Sequence, residues 1–311
     1  MNQYCFSVNL YPTRYNTPTF TRNPSHHMYQ LLHRESEFVY HGKSKFSLKG
    51  YSRSAYKTGF LVQPFNIYLD AGLDPTNDAN VVLISHTHYD HIASLYPIVL
   101  AAKNPTVLMP KSCIKGLQTM LTTLSSVSKC SMKTTIPFSE WNPVPCDINT
   151  TYPVNLNGKK MMIETFRLSH RVPCLGYGIY EERSKLKGEY LQLTGKEIVK
   201  IKKERPRHDM FEIVNIPVLL FISDTDSSIL HTLPFSKFRY VLIECTFIEP
   251  EHLNEAHKRA HLHFSQLEPY IKEHTSTTFI LIHFSQRYKN AYLESKEAEI
   301  KQTYPNIIFW I

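Results

Sequence analysis

No apolar run in this sequence comes near the ~20 residues that a membrane-crossing helix needs, because charges and prolines interrupt every candidate. No membrane partner is expected. The cysteines do not pair up either: Cys5, Cys113, Cys130, Cys146, Cys174 and Cys245 are scattered with no paired spacing. That argues against a disulfide framework and a cysteine-based zinc site, and predicts reduced thiols in an intracellular compartment. Internal repeats and low-complexity tracts are also missing. Acidic side chains are absent until Glu35, while the same stretch carries Arg14, Arg22 and Arg34 and prolines at 12, 18 and 24. An organelle leader has such a composition, but it also forms an amphipathic helix, which these prolines disfavour. Residues 1–45 are therefore expected to be an N-terminal extension, a surface arm or extra hairpin. Organelle targeting stays open as the alternative.

The remaining composition is that of an ordinary globular chain, with 42% hydrophobic and 20% charged residues in 311. That length suits one large or two medium domains. The net charge of +8 fits a polyanionic partner such as nucleic acid without requiring one.

The chemistry concentrates in residues 81–91, Val-Val-Leu-Ile-Ser-His-Thr-His-Tyr-Asp-His. Val81 to Ser85 form the short, β-branched run of a strand buried on both faces. A helical pattern over about 91–103 follows. Polar groups at the C-terminal end of a buried strand stand where open α/β sheets hold their ligands. Alternate residues of extended chain point the same way, so His86 and His88 can reach one metal ion. Asp90 and His91, turning into the helix, can face a second. Imidazole nitrogen suits zinc, and a carboxylate adds charge and can orient water. A histidine-rich surface turn is the plain alternative, but three histidines and an aspartate directly after a buried strand are rare by chance.

The same rule recurs downstream. Met161–Leu168 leads into Ser169-His170-Arg171, Ile216–Ser223 delivers Asp224, Tyr240–Ile243 delivers Glu244, and Phe279–Ile282 delivers His283. Earlier strands are expected at Lys57–Val62 and Phe65–Asp70, one at Thr106–Met109 and a helix at about 112–125. Residues 128–157 read as loops with one or two weak strands. Residues 183–207 carry nine Lys/Arg against three Glu, most of the chain's excess charge. An exposed basic arm bracketed by Gly188 and Gly195 is the functional reading, and a solvated helical face the plain one.

On these residues the chain resembles the metallo-β-lactamase superfamily, whose metal motif is His-x-His-x-Asp-His, and within it the ribonuclease Z family, most closely the short form of plant nuclear enzymes. The narrower matches are Ser-His-Arg-Val-Pro-Cys-Leu-Gly-Tyr at 169–177, Lys-Leu-Lys-Gly-Glu-Tyr-Leu-Gln-Leu-Thr-Gly-Lys-Glu-Ile at 185–198, Glu-Cys-Thr-Phe at 244–247, and His-Phe-Ser-Gln-Arg-Tyr at 283–288. The resemblance covers about Phe46 to the end. It implies a four-layer αββα sandwich over 46–311, an α/β fold with a basic insertion arm at 183–215.

The resemblance also implies roles. His86, His88 and His170 would hold one Zn2+, and Asp90, His91 and His283 the other, with Asp224 bridging; Mn2+ is an alternative ion. Asp90 would orient the attacking water, and His261, oriented by Glu244, would protonate the departing 3′-oxygen. Asp70 would support the loop beneath the metals. The substrate would be precursor tRNA, cut to leave a 3′-hydroxyl, with Lys185, Lys187, Lys196, Lys200, Lys202 and Lys203 contacting RNA and the protein acting as a homodimer in the cytoplasm or nucleus. Three departures stand out: Ser223 and Ala260 replace glycines that usually precede the aspartate and the histidine, and the long Gly-Pro arm of bacterial relatives is missing. Two other readings remain, a phosphodiesterase of the same fold acting on another RNA or a small nucleotide, and a non-catalytic RNA-binding relative.

Overall fold

Strands of this chain alternate apolar side chains between two faces, and each face finds a different neighbour. The computed structural model describes residues 34–74, 79–131, 141–156, 158–204 and 207–311. Within them two seven-stranded mixed sheets form. The first runs in chain order: β1 (Arg34–His41), β2 (Ser44–Arg53), β3 (Lys57–Gln63), β4 (Ile67–Leu69), β5 (Val81–Leu83), β6 (Thr106–Pro110) and β7 (Asn142–Cys146). It is antiparallel from β1 to β4 and parallel from β4 to β7. The second comprises β8 (Thr151–Leu156), β9 (Lys159–Leu168), β10 (Cys174–Leu186), β11 (Phe211–Ile222), β12 (Tyr240–Glu244), β13 (Thr278–Ile282) and β14 (Ile307–Phe309). Here β8 to β11 are antiparallel and β11 to β14 parallel.

Three apolar clusters account for the layering. Val81, Leu83, Leu108, Tyr177, Leu219, Phe221, Leu242 and Ile280 pack between the sheets. The alternate residues Val82, Ile84, Val107 and Met109 face Leu95, Ile98, Leu117 and Leu121 of helices Leu95–Ala101 and Ile114–Ser128. Leu220, Ile222, Val241, Ile243 and Leu281 face Leu267, Ile271 and Leu293 of helices Phe264–Glu273 and Asn290–Lys301. The result is the expected helix–sheet–sheet–helix sandwich. Polar ties cross between the sheets as well. Tyr40 on β1 donates to Glu181 on β10 at 2.6 Å, and Arg183 donates to Ser44 at 2.7 Å. Burial and the Glu181 carboxylate push the Tyr40 phenol up to about 12.

Several elements differ from the sequence reading. Residues 34–41, grouped there with the N-terminal extension, are the edge strand of the first sheet, because Phe38 and Tyr40 turn into the intersheet core. Residues 1–33 of that extension lie outside the described residues. The single helix expected over 91–103 is two, Tyr89–Ile92 and Leu95–Ala101, because Ser94 donates its backbone N–H to Ala71 rather than continuing the first. The stretch 128–157 supplies both β7 and β8, with 132–140 outside the described residues.

The basic segment is a ribbon. β9 pairs with β10 only as far as Glu181, and β12 pairs with β11 only from Leu220, whereas β10 and β11 stay paired to Leu186 and Phe211. Among the described residues, the outer half of this hairpin therefore has no third strand. Helix Gly195–Glu204 follows beyond it, with the Lys202 ammonium 5.1 Å from the centre of the Phe211 ring. Lys185, Lys196, Lys200, Lys202 and Lys203 are exposed and Lys187 is half-buried.

Candidate metal centre

Parallel strands deliver their next residues to one rim, and here each of those residues is polar. His86 and His88 follow β5, with Asp90 and His91 in the helix they open. His170 lies between β9 and β10, Asp224 after β11, and His283 after β13 with φ 64°. Glu244 ends β12, and His261 follows helix Leu253–Arg259. The ligand atoms of His86, His88, His170 and Asp224 lie within 4.8 Å of one another, as do those of Asp90, His91 and His283. Asp224 also reaches the second group: its Oδ1 is 3.4 Å from His283 Nε2 and its Oδ2 is 3.5 Å from His91 Nε2.

These separations fit ions better than hydrogen bonds. His91 Nε2 to Asp90 Oδ2 is 3.4 Å, His283 Nε2 to Asp90 Oδ2 is 3.5 Å, and His86 Nε2 to Asp224 Oδ2 is 3.7 Å. Two donors at 2.0–2.1 Å from one tetrahedral ion stand about 3.3–3.5 Å apart. Moreover His91 Nε2, His283 Nε2 and Asp224 Oδ1 are buried with no hydrogen-bond partner. Orphaned polar atoms of this kind are costly unless something binds them. The donor set, imidazole nitrogens with two carboxylates, suits divalent metal.

The surroundings set which nitrogen faces inward. His170 Nδ1 donates to the Ala260 carbonyl at 2.8 Å, and His91 Nδ1 to Asp70 Oδ2 at 2.8 Å, leaving both Nε2 atoms for the cluster. Ser85 Oγ stands 2.9 Å from His86 Nδ1 and donates to Asp70 Oδ2 at 2.9 Å. His88 instead presents Nδ1, 3.0 Å from His86 Nε2 and 3.2 Å from His170 Nε2. Burial and the crowd of imidazoles hold the His86 and His88 rings below their ordinary value, and burial does the same for His170, which favours the neutral form of all three. Burial opposes charge on His91, Asp90 and Asp224 too, but their mutual attraction wins. His91 is raised by Asp224 and Asp70, while the two carboxylates are lowered by His283 and His91.

Beside the cluster His261 Nδ1 lies 2.9 Å from Glu244 Oε1. Burial would depress this imidazole, but the Glu244 and Asp224 carboxylates raise it to about 9, so it is protonated at neutral pH. Glu244 is fully buried and also accepts from the Thr225 N–H at 2.8 Å and the Thr246 hydroxyl at 2.7 Å. Thr246 Oγ1 is in turn 3.1 Å from His283 Nδ1.

Every site residue named from the sequence rims this cluster except the six lysines, which lie on the ribbon and helix of the basic segment. Ser223 does not need a glycine's backbone: it has no positive φ, and its hydroxyl oxygen lies 3.0 Å from that of Ser85. Ala260 does occupy the left-handed region, at φ 54° and ψ 53°. The sequence reading missed Ser85, Thr246 and the arginine pair Arg259 and Arg287, which line the pocket and share Glu255. Each lies within four residues of a motif histidine or carboxylate, the one signal that could have found them.

No protein-family model matches the chain. It is 26% identical over 269 residues to the chloroplastic tRNase Z TRZ2 of Arabidopsis thaliana, covering 82% of this chain and 72% of that protein. It is 25% identical over 255 residues to tRNase Z TRZ1 of the same plant, covering 78% and 86% respectively. The metallo-β-lactamase fold protein YhfI of Bacillus subtilis superposes with a TM-score of 0.52 at 14% identity, covering 83% of this chain and 93% of that one. The chain has the metallo-β-lactamase fold, and its sequence resembles ribonuclease Z.

Proposed function

From a chain of that fold with that resemblance, we propose a metal-dependent endoribonuclease that removes the 3′ trailer from precursor tRNA. The observation that carries the proposal is the convergence of seven ligand side chains with three orphaned inward atoms, beside a protonated histidine fixed by a buried carboxylate. The similarity to plant tRNase Z supports the choice of substrate.

His86, His88 and His170 would hold one cation, Asp90, His91 and His283 a second, and Asp224 both; Zn2+ fits the donors, with Mn2+ an alternative. When bound, such a pair supplies Lewis acidity toward the phosphate and lowers the pKa of water toward neutrality. The chain's own groups do the rest. Asp90, held strongly as a carboxylate, orients the water and accepts its proton as the oxygen attacks. As the bond from that water oxygen to phosphorus forms, the P–O3′ bond breaks. His261, with Nδ1 tied to Glu244, donates its Nε2 proton to the departing 3′-oxygen. The products are a tRNA 3′-hydroxyl and a trailer bearing a 5′-phosphate.

The lysines of the ribbon and its helix, Lys185, Lys187, Lys196, Lys200, Lys202 and Lys203, would hold the tRNA body through phosphate contacts. A homodimer in which each arm serves the partner's substrate belongs to the same proposal, as does an intracellular site of action, where precursor tRNA is found. The test is incubation of metal-loaded protein with a 3′-extended precursor tRNA. Cleavage to a 3′-hydroxyl that His86→Ala abolishes is expected; intact RNA refutes the assignment.

A further inference from the structure

Two cavities border the metal cluster, and their linings share no residue. The smaller, of about 210 Å³, contains Asp90, Asp224, His261 and His283 with Arg259 and Arg287. The larger, of about 740 Å³, has His170 in its wall and runs along residues 167–175. Its size falls within the ~300–1,000 Å³ of sites that take a compact ligand. Apart from His170, no residue given a catalytic or metal-holding role lines the larger cavity.

We infer that the larger cavity receives the single-stranded 3′ trailer of the RNA and grips its phosphates through Arg167, Arg171 and Lys111. This rests on the ribonuclease reading above. If His261 protonates the departing 3′-oxygen, the nucleotide that carries this oxygen occupies the smaller cavity. The nucleotide attached through the 5′-oxygen must then leave the cluster another way, and the cavity walled by His170 adjoins the cluster. Its chemistry suits that strand. Arg167 is exposed and has no partner carboxylate among the described residues. Arg171 is held in place by an Nη2 donor bond to the Lys258 carbonyl at 2.5 Å. The lone acid of the lining, Asp147, is approached by Lys111 at 3.4 Å. Ile148, Val172 and Pro173 add apolar surface against which bases can pack. Apolar packing reads no base edge, so the site accepts trailers of any sequence.

The test compares KM for precursor tRNAs with one-nucleotide and six-nucleotide trailers. In the native protein the longer trailer lowers KM roughly tenfold, since added phosphate contacts raise affinity. In Arg167→Glu/Arg171→Glu this ratio falls to about one. The dependence of log KM on log salt for the longer trailer weakens by about 1.4, at ~0.7 for each single-strand phosphate no longer neutralised. The milder pair Arg167→Gln/Arg171→Gln gives the same collapse and guards against misfolding of the first. Lys103→Glu/Lys237→Glu, an equal charge change at exposed positions away from the cavity, keeps the native ratio. A native KM independent of trailer length, or arginine variants that retain the native ratio, overturns the inference while leaving the ribonuclease assignment intact. Failure of the native protein to cut either RNA removes both.

Discussion

His170 Nδ1 lies 2.8 Å from the carbonyl oxygen of Ala260, ninety positions away, and Ala260 holds that carbonyl in place from a left-handed backbone. The helix Leu253–Arg259 ends on this residue, so one strained turn both terminates the helix and aims a cluster histidine. His261 follows immediately and meets Glu244. The turn thus sets two functional imidazoles at once.

A left-handed Ala carries a steric penalty that glycine lacks. Ala260→Gly is therefore expected to stabilise the protein by about 0.5–1 kcal/mol, with the His170 hydrogen bond kept because it uses the backbone carbonyl. Urea unfolding with an unchanged slope measures this, and a loss of stability contradicts it.

Asp70 governs the other side of the cluster. Also left-handed at φ 56°, it accepts from the Ser85 N–H at 2.7 Å and from His91 Nδ1 at 2.8 Å. Asp70→Asn weakens the orientation of His91 and is expected to lower metal affinity about 10–100-fold. Competition against a chelator of known affinity reads the change. Below the same loop, a Cβ on Gly72 would meet the Asp90 carbonyl at 1.9 Å, so Gly72→Ala displaces the start of the metal motif and lowers metal content.

His261 is the proposed acid, and the sign of its shift sets the pH profile expected of that role. Its value of about 9 lies above the ordinary one, so the proton is present at neutral pH and lost as pH rises through 9. Turnover should fall along that limb. Glu244→Gln removes the main charge that raises it, so the limb moves to lower pH, and kcat drops about 10²–10⁴-fold with KM changed less. An unmoved limb contradicts the role of Glu244.

The proposed RNA-binding arm would act through charge. Lys196→Glu with Lys200→Glu is expected to raise KM for precursor tRNA and flatten its salt dependence, with kcat changed less. Equal losses in kcat and kcat/KM would instead assign these lysines to the chemical step.

Much of the site was legible because a buried parallel strand advertises itself twice, by an apolar run and by the polar residue that ends it. Val81–Leu83 before His86 and Tyr240–Ile243 before Glu244 are of this kind. What stayed hidden depends on partners far away in the chain. Cys174–Leu186 begins as a core strand and ends as an exposed ribbon, so its second half reads only as charge. Asn142–Cys146 and Thr151–Leu156 lie at sheet edges and carry prolines there, which masks their pattern. Ser85 and Ser223 meet across 138 positions, a pairing no local pattern announces.

The proposed pair of cations rests on seven converging side chains, and metal analysis of the purified protein tests it most directly. Two divalent ions per chain in the native protein, falling sharply in Asp224→Ala while the fold is retained, is the predicted result. A native chain that binds no divalent ion at micromolar concentration would contradict it.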